Sequence, residues 1–151
     1  MSTTRDLTKI ERSVFIRAPR SRVWSAIANV EEFASWFQVK AEGEFKPGAT
    51  VPMTCTVPGY EGIRFDVTIE SVEPERRLAW RWIPGAEQPP DESTTFVEFV
   101  LADEDGGTRV TVTESGFDRI SLVRRAKAYE ENSKGWEAQM QNLERYVTNA
   151  G

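Results

Sequence analysis

A carboxylate stands in an unexpected place near the end of the chain. In "TRVTVTESGFD", residues 108–118, strand alternation puts Val110, Val112 and Glu114 on one face and Arg109, Thr111 and Thr113 on the other. The valines mark the buried side, so Glu114 points inward, directly ahead of a Ser-Gly-Phe turn. An inward carboxylate has two chemical uses. It can be a structural group held by hydrogen bonds or an ion pair. With a pKa raised by apolar walls, it can instead anchor a ligand or act as a general base. The stretch itself is compatible with both.

The remaining composition removes more chemistry than it adds. The chain contains no histidine, which excludes Ser-His-Asp and Cys-His catalysis and leaves no imidazole as proton shuttle or metal ligand. With one cysteine, a zinc site would rest on carboxylates, which zinc rarely accepts, so neither a metal nor another cofactor is expected. Cys55 lies in the alternating run "VPMTCTV" and reads as a buried bystander rather than a nucleophile. "DEDGGTR" separates two strand-like runs and reads as a hairpin turn, not a phosphate loop, with Gly106 and Gly107 supplying positive φ. A balance of 19 basic against 24 acidic residues, net charge -5, disfavours a nucleic-acid partner. No apolar run approaches the roughly 20 residues of a membrane span. "MSTTRDLTKIERS" has no signal-like apolar stretch, and a cytoplasmic location is expected.

The elements that must position Glu114 follow from periodicity. At 151 residues and 39% hydrophobic content, the chain fits one domain, residues 1–151, with its core at about 10–147. "KIERSVFIRAP" is an alternating strand ended by Pro19. In "PRSRVWSAIANVEEFASWF" the apolar residues recur at helical spacing with a break near Asn29, which predicts two short helices. From Val39 to Glu114, turn signals punctuate runs rich in Val, Thr, Ile, Phe and Trp, an antiparallel meander. The polar segment "PGAEQPPDES", residues 84–93, is expected to be among the most mobile parts. Leu122, Ala126, Tyr129, Ser133, Trp136, Met140, Leu143 and Val147 then form one stripe of a long helix, with Asp118 as N-cap. The small residues in its first half leave room for a cavity beneath it. The fold class is α+β: a curved antiparallel sheet gripping a C-terminal helix.

Four segments in this order, "IRAPRSRVWSAIANVEEFASWF", "VEPERRLAWRW", "GGTRVTVTESGF" and "NSKGWEAQMQNLERYV", resemble the SRPBCC superfamily. This is the helix-grip fold of START domains and the birch-pollen allergen, and the likeness is to the branch of heat-shock protein 90 ATPase activator homologues. The resemblance implies about seven antiparallel strands with two short helices after the first, and it makes the first and last strands neighbours. On that strand order Arg12, on the same face as Ile10 and Val14, becomes the candidate partner of Glu114.

The resemblance also implies a cavity between sheet and long helix. Candidate ligand contacts are Trp36 and Phe37 at its mouth, Met53, Phe65, Trp80, Trp82 and Phe99 on the strands, Glu114 and Phe117 at the end of the last strand, and Tyr129 and Trp136 on the helix. The leading expectation is binding of a hydrophobic or aromatic small molecule, lipid included. A polyketide cyclase or aromatase-like enzyme, with Glu114 as its catalytic residue, and a chaperone-interacting module are the alternatives. Self-association as a homodimer is left open.

Overall fold

The computed structural model describes residues 8–149. Alternation in "KIERSVFI" forms β1 (Lys9–Ile16), which buries Ile10 and Ile16. Pro19, unable to continue a ladder, instead starts α1 (Arg20–Ala28), its carbonyl accepting from the Arg22 and Val23 amides. Asn29 ends α1 and caps α2 (Val30–Phe37), its Oδ1 accepting from the Glu32 amide at 3.0 Å.

The strands β2 (Val39–Ala41), β3 (Thr50–Cys55), β4 (Arg64–Glu73), β5 (Arg77–Trp82), β6 (Thr95–Glu104) and β7 (Gly107–Ser115) follow as a meander. The sheet has seven strands in the order β1-β7-β6-β5-β4-β3-β2, every neighbouring pair antiparallel. An irregularity between Ile69 and Ser71 shifts the β4–β5 register, a bulge of the kind that bends a strand and adds curvature. On the convex face arginines and glutamates from neighbouring strands pair, as in Arg81–Glu70 at 2.8 Å and Arg77–Glu98.

A short 3-10 turn (Phe117–Arg119) leads into α3 (Leu122–Asn149), whose 28 residues span about 42 Å at 1.5 Å per residue. Ala128, Trp136, Met140, Leu143 and Val147 of α3 are buried under the sheet. Each fully buried aliphatic side chain in that stripe contributes roughly 1.5–3 kcal/mol. The fold is the α+β helix grip expected from the sequence, with β1 beside β7.

Several local expectations are corrected. Asp118 is not the helix cap; it sits in the 3-10 turn, and the Ser121 carbonyl accepts the first helical bonds, from Arg124 and Arg125. Leu122 is 79% exposed and Ala126 is also exposed, so the stripe begins later than its spacing suggested; in these first turns it is Arg124 and Ala128 that face inward, against the 84–93 loop. In the β6–β7 hairpin Glu104 pairs with Gly107, so the two-residue turn is Asp105-Gly106, both at positive φ. Gly107 serves a different need: a Cβ there would meet the Ile16 carbonyl oxygen at 2.4 Å.

The polar loop 84–93 is anchored at several points to the start of α3. Arg124 donates to the Pro84 and Glu87 carbonyls at 2.9 and 2.8 Å and to the Glu92 carboxylate at 3.0 Å. Glu92 also accepts from the Ser121 amide and hydroxyl, so the loop is pinned to the start of α3.

Candidate functional site

A cleft of about 640 Å³ opens between α3, the end of α2 and the loops after β3 and β5. Phe37, Val39, Ile63, Phe65 and Trp82 line it with apolar surface. From α3 it receives Asn132, Gly135, Ala138 and Gln139, with Glu130, Glu131, Lys127 and Lys134 among the charged lining residues. Gly135 matters because a Cβ added there meets nothing within 4 Å, so the middle of α3 borders open space where a larger side chain would intrude. The size and mostly apolar lining are those of a small-molecule site.

Behind this wall lies Glu114, 0% exposed. Trp82 Nε1 donates to its Oε2 at 2.7 Å and Thr95 Oγ1 donates at 2.5 Å. Trp136 Nε1 donates to Oε1 at 2.8 Å, and Asn132 Nδ2 reaches both oxygens at 2.9 and 3.0 Å. Donors from β5, α3 and the first residue of β6 thus converge on one side chain of β7. All four are uncharged. Burial pushes the Glu114 carboxyl above its ordinary range, while the donors from Thr95, Trp82, Trp136 and Asn132 pull it back without cancelling the rise.

Arg12 is not the partner. It shares the inward face with Ile10, but it stands opposite Val112 in the ladder, and its guanidinium donates to Ser133 Oγ at 2.6 Å and to the Glu11 carbonyl. Ile10, not Arg12, faces Glu114 across the β1–β7 pair. The inward phase of Glu114 read from its strand holds, and neutral donors replace the cation.

Of the candidate contact residues, Phe37, Phe65 and Trp82 line the cleft. Met53, Trp80 and Phe99 are buried in the core. Trp80 lies among Phe33, Phe99 and Trp136 at ring separations of 5.3 to 6.4 Å. Trp36 is buried with its indole N–H donating to the Ala26 carbonyl at 2.8 Å, and Trp136 is buried with its indole N–H on Glu114. Phe117 and Tyr129 pack edge to face at 5.2 Å, with the Tyr129 hydroxyl donating to the Lys9 carbonyl.

Other lining residues escaped the sequence reading. Cys55 is half-buried and lines the cleft rather than lying in the core as a bystander. Gln38 closes α2 in a left-handed conformation, which no periodicity reveals. Asn132 was legible in principle, since it precedes Trp136 by one helical turn and shares its face.

The family described as "Activator of Hsp90 ATPase homolog 1-like protein" matches residues 17–148. The chain belongs to this family. Among solved structures it is similar to DynU16, a protein of the dynemicin biosynthetic locus, at 23% identity and a TM-score of 0.71, covering 95% of this chain. The chain spans only 48% of DynU16, about half its length. It is similar to MLL2253 from Mesorhizobium loti at 21% identity and TM-score 0.77, covering 95% of this chain and 98% of that one. The Aha1 dimer from Colwellia psychrerythraea matches at 16% identity and TM-score 0.71, covering 92% and 95%. Likeness at these identities shows the shared fold. No curated protein is significantly similar to the chain.

Proposed function

We propose that the protein binds a hydrophobic or aromatic small molecule in the cleft between the sheet and α3. The observation that carries this reading is the cleft itself, about 640 Å³, with Phe37, Phe65 and Trp82 on its wall and open space above Gly135. Burial of apolar ligand area would supply affinity at roughly 25 cal/mol per Å² before the costs of association.

Binding is favoured over catalysis by the position of Glu114. Both of its oxygens already accept hydrogen bonds, and Trp82 and Asn132, which donate to it, are themselves lining residues of the cleft. For Glu114 to take a proton from a ligand, one of those two side chains would have to leave it. The carboxylate holds the wall in place.

Native mass spectrometry of freshly purified protein, with Gly135→Phe alongside, tests the reading. The wild type should carry small molecules that denaturation releases. Gly135→Phe, folded by circular dichroism, should carry none. Equal loads in the two proteins would overturn the assignment to this cleft, and capture of a chaperone with no small molecule would favour an interaction module instead.

A further inference from the structure

The charges lining the cleft are balanced, two of each sign. Four charged side chains line it, the cations Lys127 and Lys134 and the carboxylates Glu130 and Glu131. Lys134 pairs with Glu130 at 3.1 Å, and Lys127 lies 3.5 Å from Glu87 on the loop after β5. Glu131 accepts the Ala86 amide at 3.3 Å, holding the same loop. Arg124, the other cation at that loop, is taken up by the Pro84 and Glu87 carbonyls and the carboxylate of Glu92. Both lysines sit in exposed, weak pairs, so what disfavours an anion in the cleft is the loss of its hydration together with the Glu87, Glu130 and Glu131 carboxylates beside those lysines. A cation drawn to Glu130 or Glu131 would meet Lys127 and Lys134 in the same lining.

What the cleft offers instead is neutral. Among the described residues, the exposed Gln38 side chain and the Tyr60 hydroxyl have no hydrogen-bond partner within the protein. Gln88 spends its Nε2 on the Ile83 and Gly85 carbonyls and keeps its amide oxygen. These groups match hydroxyl and carbonyl oxygens. The apolar lining combines the rings of Phe37, Phe65 and Trp82 with the small Gly135 and Ala138 of α3, surfaces suited to a flat ring system.

Resting on the ligand-cleft reading above, we infer that the occupant is an uncharged, planar ring compound bearing hydroxyl or carbonyl oxygen, and that the cleft discriminates against carboxylate-headed molecules such as fatty acids. Cys55 provides the reporter, being the one cysteine of the chain and a lining residue. Three probes on one ring system, 2-naphthol, 2-naphthoate and 2-naphthylmethylammonium, are titrated at pH 7 against the rate at which iodoacetamide alkylates Cys55 of the full chain, followed by mass spectrometry. Naphthol should protect at concentrations at least tenfold below either ion. In Glu130→Gln, which leaves Lys134 without its carboxylate, naphthoate protection should improve severalfold while naphthol is unchanged. Equal or tighter protection by either ion in the wild type overturns the inference, as does a Glu130→Gln variant that treats naphthoate as the wild type does. Failure of all three probes to protect Cys55 overturns the ligand-cleft reading itself.

Discussion

The indole nitrogen of Trp82 lies 2.7 Å from Glu114 Oε2, so a ring on the cleft wall is fixed by a carboxylate that the cleft does not reach. The ring has one useful face toward the cleft and one polar edge that must be satisfied as it turns inward. Asn132 is held the same way, its Nδ2 on Glu114 and its Oδ1 accepting the Gly85 amide at 3.2 Å. One buried acceptor therefore sets two positions on the wall and links β7 to β5 and α3.

Glu114→Gln is expected to destabilise the fold by about 2–4 kcal/mol, because an NH2 group replaces an oxygen that donors already face, and each stranded buried donor costs roughly 1–3 kcal/mol. Arg12→Ala should cost less than about 1 kcal/mol, since Arg12 serves Ser133 at a partly exposed site. Urea denaturation of the pair checks the ranking. Equal losses would restore an Arg12–Glu114 partnership that the geometry denies.

Trp136 joins two roles that two substitutions separate. Trp136→Ala removes a core aromatic packed against Phe37, Phe99 and Trp82 and should cost about 3–5 kcal/mol. Trp136→Phe keeps most of the ring but drops the N–H to Glu114 Oε1, and should cost about 1–2 kcal/mol. Thermal melts read both, and a Phe variant as damaged as Ala would mean that the hydrogen bond outweighs the packing.

Two glycines should respond oppositely to alanine. At Gly135 nothing meets the new Cβ, and mid-helix Gly→Ala should stabilise by roughly 0.5–1 kcal/mol. At Gly107 the Cβ would press on the Ile16 carbonyl oxygen and the Phe15 ring, and a loss of about 1–3 kcal/mol is expected. Denaturation midpoints of the two variants on the same side of wild type would contradict this assignment.

How far the sequence could be read depended on whether a feature repeats. Strand alternation gave the inward phase of Glu114 and the buried Val110 and Val112, and helical spacing gave Trp136, Met140, Leu143 and Val147. The partners of Glu114 were not periodic signals. Thr95 sits at the start of β6, and Asn132 is polar in an apolar stripe, so neither announced itself. The start of α3 was misplaced for a related reason: Asp118 has the chemistry of a cap, but the Phe117–Arg119 turn intervenes and Glu92, far away in sequence, supplies the acceptor at Ser121. The cleft lining drew on loop residues such as Gln38 and Tyr60, whose placement is a tertiary outcome.

Glu92 should give the loop an acid-sensitive anchor. Burial alone would push its carboxyl up, but Arg124, the Ser121 amide and hydroxyl and the Ser93 amide outweigh it and hold the group at about 2 instead of 4.5. Because the folded value is depressed, the native state binds the proton less readily than the unfolded chain. The stabilisation is complete above 4.5 and is lost as pH falls toward 2. Glu114 acts in the opposite sense: its raised carboxyl favours the fold at low pH, and that contribution is lost as pH rises through the raised value. Comparing wild type with Glu92→Gln cancels the Glu114 trend, which both proteins share. The variant should be less stable at neutral pH, with the gap closing between about pH 4.5 and pH 2, and amide exchange in the 84–93 loop should rise with it. A stability difference that stays constant across that window would show that Glu92 does not carry the anchor as a carboxylate.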